Sequence, residues 1–178
     1  MLKAYILALA LALIAAPASA EVDTRQRALV SEISSQVLRY AHFTIFDDVR
    51  VQFEEDRVVV LTGKVTMPFK KDDLGRIAGS VAGVSTVRNE IDILPVSPFD
   101  DELRARIARA IYGHASFWHY AAMVNPPIHI IVEDGNVILT GVVQSNVERM
   151  LARSLATTYG AFSVRNDLRT DAEMRAAL

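Results

Sequence analysis

The chain has 178 residues, 19 basic and 21 acidic side chains, and no cysteine. A formal net charge of -2 excludes bulk electrostatic binding to nucleic acid, though not a local basic patch. Without cysteine there is no disulfide and no acylated N-terminal cysteine, so the protein has to be held together by its own apolar cores.

Residues 1–20 read as a secretory signal peptide. Lys3 precedes an apolar run from Ala4 to Ala16, and Pro17-Ala18-Ser19-Ala20 supplies the small residues of a cleavage site before Glu21. The run is shorter than the ~20 residues of a spanning helix, and no later segment is long enough to cross a membrane. Removing Lys3 leaves 18 basic against 21 acidic residues, about -3. The expected product is exported and soluble, which places it in the periplasm.

The mature chain divides at Leu94-Pro95-Val96-Ser97-Pro98, where two prolines fit a short stiff linker over 95–99. The first module, 21–94, opens with a helix whose apolar face carries Leu29, Val30, Ile33 and Val37. Two strands follow. Val49, Val51 and Phe53 alternate in one, and Val59, Leu61, Gly63 and Val65 in the next. Their connection, Glu54-Glu55-Asp56-Arg57, lacks a turn glycine. Gly63 falls in the inward series and marks a bulge or a close backbone approach, with the following helix as the expected neighbour. That helix carries Leu74, Ile77, Ala78 and Val81, ends near Gly83, and leads to a last strand over 86–94.

The second module, 100–170, repeats the order, and a tail occupies 171–178. An offset of 74 superposes Leu29 on Leu103, Ile33 on Ile107 and Val37 on Ile111. Ser97 with Asp100, and Ser145 with Glu148, have capping-box spacing at the two helix starts. Ile128, Ile130 and Val132 form the first strand, Glu133-Asp134-Gly135-Asn136 the turn, and Val137, Leu139, Gly141 and Val143 the second strand. Met150, Leu151, Leu155 and Ala156 are the expected stripe of the next helix. Gly160 closes it, and a last strand runs over 162–168. The expected class is α+β: two tandem αββαβ modules, each a three-stranded mixed sheet with two helices on one face.

The pattern apolar-x-Leu-Thr-Gly-x-Val, a helix, then Gly-x-x-x-Val-x-Asn resembles the BON domain. Copy one carries it at Val59–Val65 and Gly83–Asn89, copy two at Val137–Val143 and Gly160–Asn166. The resemblance implies an α/β module of the bacterial envelope that associates with phospholipid surfaces or envelope components and serves envelope maintenance or osmotic tolerance. It supplies no catalytic residues to carry over. Copy two departs from it at Ala161-Phe162 and in about four extra residues before its first strand.

That extra segment, Tyr112 to Pro127, holds the single Trp and two of the four His. Two readings stand. Phe117 and Trp118 close the open side of the core, or the segment is a binding surface carried by Trp118, Tyr120 and Met123, with Phe117 buried. Arg149 and Arg153, one helical turn apart, are candidates for anionic head groups or for a solvated helix face. His114 and His119 lack metal-site spacing, Thr62-Gly63-Lys64 lacks the context of a phosphate loop, and no nucleophile or acid-base pattern stands out. The expectation is a non-catalytic binding protein with no cofactor and no metal. Its partner is an anionic phospholipid surface or an envelope protein. The alternative is a protein-interaction module within an envelope complex, without lipid binding.

Overall fold

A computed structural model describes residues 18–54, 58–157 and 160–176, with side chains from residue 24 onward. Of the expected signal peptide over 1–20, residues 1–17 lie outside the described residues, as do the turn residues Glu55, Asp56 and Arg57. Helix α1 (Ala18–Arg39) is followed by β1 (Asp48–Phe53), β2 (Val58–Val65), α2 (Pro68–Ser80) and β3 (Thr86–Ile93). The second module repeats this as α3 (Pro98–Tyr112), a short α4 (Trp118–Ala121), β4 (Ile128–Glu133), β5 (Asn136–Val143), α5 (Asn146–Thr157), β6 (Ser163–Asn166), β7 (Arg169–Thr170) and α6 (Asp171–Ala176). No helix among the described residues is long and apolar enough to cross a membrane.

In both modules the second strand is central. It pairs antiparallel with the strand before it and parallel with the strand after the helix. The inward rows face the helices and form two cores. One is built on Ile33, Val37, Leu61, Leu74 and Ile91, the other on Ile107, Phe117, Ile130, Leu139 and Leu168. The two sheets are mixed and of the expected order, with one difference. The last strand of copy two breaks at Asp167-Leu168 into β6 and β7, both parallel to β5, which makes that sheet four-stranded. The tail is also structured. Thr170 Oγ1 accepts the Glu173 N–H at 3.3 Å and Glu173 returns a carboxylate to the Thr170 N–H at 2.8 Å, a reciprocal cap that starts α6.

The repeated motif residues act as pins. Gly63 and Gly141 have φ of 124° and 114°, and a Cβ on them would lie 2.1 Å from the Asp48 carbonyl oxygen and 1.8 Å from that of Pro127. The close approach therefore comes from the start of the preceding strand, not from the following helix. Asn89 donates to the Lys71 carbonyl at 2.7 Å, and Asn166 to the Arg149 carbonyl at 2.8 Å. Each thereby ties its last strand to the early part of the second helix.

Three local expectations are corrected. Ser97 caps α3 by accepting the Asp100 N–H, but the buried Asp100 carboxylate takes the N–H groups of Asp134 and Gly135 at 3.0 and 2.8 Å, holding the β4–β5 turn. Ser145 accepts the Glu148 N–H, while the Glu148 carboxylate reaches Gln144, one residue further back. In α5 the inward stripe is the buried Ala152 and Ala156 with the partly buried Leu151 and Leu155, and Met150 points outward at 72 % exposure. Gly83 lies beyond the C-cap Val81, at the positive-φ position of a turn closed by Val84 N–H to Val81 O.

The modules touch. Ile45 and Phe46, between α1 and β1, pack on the core of module two, and Ile130 donates its N–H to the Ile45 carbonyl at 2.7 Å. Lys64 pairs with Glu133 across the junction. Val60 in one sheet and Ile131 and Thr140 in the other are buried on the faces turned away from the helices.

Candidate binding surfaces

The segment Ala110–Val132 contains no Asp, Glu, Lys or Arg. It folds as the end of α3, a 3-10 turn at Ala115–Phe117, α4, a loop and most of β4. Phe117 drops into the core, where its ring stacks on Tyr120 with centroids 6.2 Å apart. Trp118 is turned the other way and is 71 % exposed, and Met123 and Val124 are exposed beside it in the chain.

Tyr120, expected at the surface, is only 4 % exposed. Its hydroxyl donates to Glu148 at 2.8 Å and accepts the Gln144 N–H at 3.0 Å, which binds α4 to the first turn of α5. Burial, then the hydrogen bond to Glu148, pushes its pKa up to about 12. Tyr120 is therefore a support for the surface rather than part of it.

The two arginines differ as well. Arg149 Nη1 donates to both carboxylate oxygens of Glu173 of α6, at 2.9 and 3.1 Å, and so is engaged. The backbone N–H of Thr170 first, and Arg149 after it, hold the Glu173 carboxyl below its ordinary value. Arg153 is exposed beside Met150, Ser154 and Thr157 and has no ion pair among the described residues. Val147 and Met150 are also exposed on α5. Sequence periodicity missed this apolar pair, because Met150 scores as a core residue and Val147 precedes the stripe.

A separate aromatic pair stands at the far end of module two. Phe162 and Phe99 stack at 5.9 Å, and the Phe162 ring lies over Gly135, where a Cβ would come within 2.7 Å of it. The departure Ala161-Phe162 is thus an exposed feature.

The histidines are employed locally. His114 accepts the Ser116 N–H at the 3-10 turn, His129 Nδ1 lies 2.6 Å from the Asp47 carbonyl oxygen, His42 meets Tyr40 and Phe69 edge-on, and His119 lies against Tyr120. No group of three or more His, Cys, Asp or Glu among the described residues could hold a metal ion. Lys64, of the Thr-Gly-Lys triplet, is committed to Glu133.

Comparison with known proteins adds a family. A model of the BON domain matches residues 26–95 and again 100–172. No curated protein matches the chain significantly. Among solved structures, the chain is similar to the C-terminal domain of CdsD, a structural protein of the type III secretion system of Chlamydia trachomatis. That match has 16 % identity and a TM-score of 0.34, and covers 80 % of this chain but only 65 % of that one. A second CdsD structure from the same organism matches at 15 % identity and a TM-score of 0.30, covering 84 % of this chain and 96 % of that one.

Proposed function

The chain belongs to the BON domain family, with two copies in tandem, and on that premise we propose a non-catalytic, exported binding protein of the bacterial envelope. It works in the periplasm, in envelope maintenance or osmotic stress, and associates with anionic phospholipid surfaces through module two. The observation that carries this reading is the exposure of Trp118 at 71 %, in a stretch without charged side chains. An indole with one polar edge suits the boundary between head groups and acyl chains. Val147, Met150 and Arg153 on α5 supply a second apolar and cationic contact, tied to the first through Tyr120 and Glu148.

Sedimentation with vesicles tests it. The protein is expected to pellet with anionic phosphatidylglycerol vesicles at low salt and to release as salt rises, because exposed charges are screened. Trp118→Ala is expected to weaken binding several-fold while leaving stability within about 0.5 kcal/mol, as for a surface change. Absence of sedimentation at low salt would reject the lipid reading. The second reading, a protein-interaction module in an envelope complex without lipid binding, is favoured by the exposed Phe99–Phe162 stack, since aromatic residues are enriched at interface hot spots.

A further inference from the structure

We propose that helix α6 is an electrostatic latch on the contact face of module two. Its Glu173 occupies Arg149, and a surface dense in anionic phosphate displaces Glu173 and recruits Arg149. The inference rests on the lipid reading and adds to it a control which that reading does not require.

The latch begins with helix geometry. Residues four apart are neighbours on one side of a helix, and Arg149 and Arg153 in α5 are so placed. Two adjacent cations beside the exposed Val147 and Met150 make a stronger contact with an anionic surface than one does. Arg153 is exposed and has no ion pair among the described residues. Arg149 is held instead, with Nη1 donating to both oxygens of Glu173 at 2.9 and 3.1 Å. Its backbone carbonyl meanwhile accepts from the Asn166 amide at 2.8 Å. That pin fixes the helix, so a change of partner needs only the arginine side chain to turn.

Glu173 is presented by a segment with little else to hold it. α6 is six residues long, too short to be stable alone, and none of its residues is buried. Its start is anchored by the buried Thr170, which exchanges the two cap hydrogen bonds with Glu173. Beyond that cap, α6 is tied to α5 through the Arg149 pair. Both partners of the pair are partly exposed. An ion pair in that setting is weak and yields to competing ions.

The latch has the sign that a brake needs. Asp171 and Glu173 make the first turn of α6 acidic, and the Asp171 carboxylate adds to the negative field at Tyr120, which sets α6 close to α4. The contact face therefore carries acids of its own. At low phosphate density Glu173 is the nearer anion, and Arg149 stays paired. At high density the phosphates prevail by number, and the second cation joins the first. Binding then steepens with the anionic fraction of the surface instead of rising in proportion to it.

The test is sedimentation of the full chain at low salt, with phosphatidylglycerol varied in phosphatidylcholine vesicles. Glu173→Gln removes the charge but keeps an oxygen acceptor for the Thr170 N–H, since glutamine serves in the same cap. It should strengthen binding about fivefold and flatten the dependence on anionic fraction. Asp92→Asn removes an exposed acid of module one and controls for net charge, with an expected change below about twofold. Arg149→Gln should weaken binding about fivefold in the Glu173→Gln chain and less than about twofold in the wild type. Independent charges would give equal losses in the two backgrounds, and that result overturns the latch. A Glu173→Gln gain no larger than that of Asp92→Asn overturns it too. Hydrogen exchange on the wild type is a second readout that needs no variant. Vesicles should speed exchange of the α6 amides, and unchanged protection there overturns the latch. Inorganic phosphate offers the same anion without a surface and should leave α6 protected. Equal opening by dissolved phosphate at matched concentration would overturn the surface as the trigger. The lipid reading fails by a different result, the absence of wild-type sedimentation. Wild-type sedimentation that Trp118→Ala weakens, without coupling between Arg149 and Glu173, overturns the latch alone.

Discussion

The two modules solve one problem with opposite chemistry. In each, the connection before the first strand has to be tied to the start of the second helix. Module one places the acid on the connection. Asp47, fully buried, accepts from Thr44, from both the N–H and the hydroxyl of Thr66, and from Lys70 Nζ at 2.7 Å. Module two places the acid on the helix. Glu148 accepts from Gln144 and from the Tyr120 hydroxyl. By their place in the fold, Lys70 and Glu148 correspond, so the sign of the helix residue has inverted between copies. A fold specifies that a tie be made, and leaves open which partner carries the charge.

This contrast can be broken experimentally, beginning with the largest effect. Asp47→Ala strands the Lys70 cation in a site where it is almost wholly buried, and should cost about 3–5 kcal/mol in urea denaturation. Asn89→Ala and Asn166→Ala remove equivalent pins, and each should cost about 1–3 kcal/mol. Near-equal losses would mark this tie as the shared part of the design, and a twofold disparity would remove it from that part. Tyr120→Phe deletes a neutral hydroxyl and should cost about 1 kcal/mol, several-fold less than Asp47→Ala, because Glu148 still accepts the Gln144 N–H.

The smallest effect is alkaline. The folded pKa of Tyr120 is raised to about 12, above its unfolded value near 10. Its contribution is therefore fully present below about pH 10 and is lost as pH rises toward 12. Tyr40, raised to about 12 by burial and then by Asp73, adds a loss in the same window in module one. Tyr112, which burial raises further still, also contributes to the module-two decline, so Tyr120→Phe should flatten only the Tyr120 share of the pH 10–12 loss, read from denaturation midpoints. An unchanged slope would show that Tyr120 titrates normally.

Much of the fold is legible in the chain because its determinants are local. Alternation in Val59–Val65, and glycine where a carbonyl approaches, need no knowledge of distant residues. The cap Thr170–Glu173 is local as well and has the same spacing as Ser145–Glu148, so α6 was open to the same reading. What eludes a linear reading depends on partners far apart. Asp47 meets Lys70 and Thr66, and Tyr120 meets Glu148 and Gln144, across stretches that only the sheet brings together. An aromatic residue in a loop resembles a binding residue until its hydroxyl partner is known, which is why Tyr120 and Trp118 look alike in sequence. Met150 counts as apolar in the sequence, but the inward positions of α5 are Leu151, Ala152, Leu155 and Ala156, and Met150 lies on the other face.

The hydrogen bond from Ile130 to Ile45 makes the tandem directional. Module one lends its connection to the strand of module two, but module two has no following neighbour in the described chain to receive its own. In the place of Asp47-Asp48 it has Pro126-Pro127, a pair without N–H groups. The copies therefore do not commute. A chain with their order exchanged would keep every intramodular residue, yet it would lose the acid that braces the lent segment. The tandem has a leading and a following module, and repeating the same sequence pattern does not make the two positions equivalent.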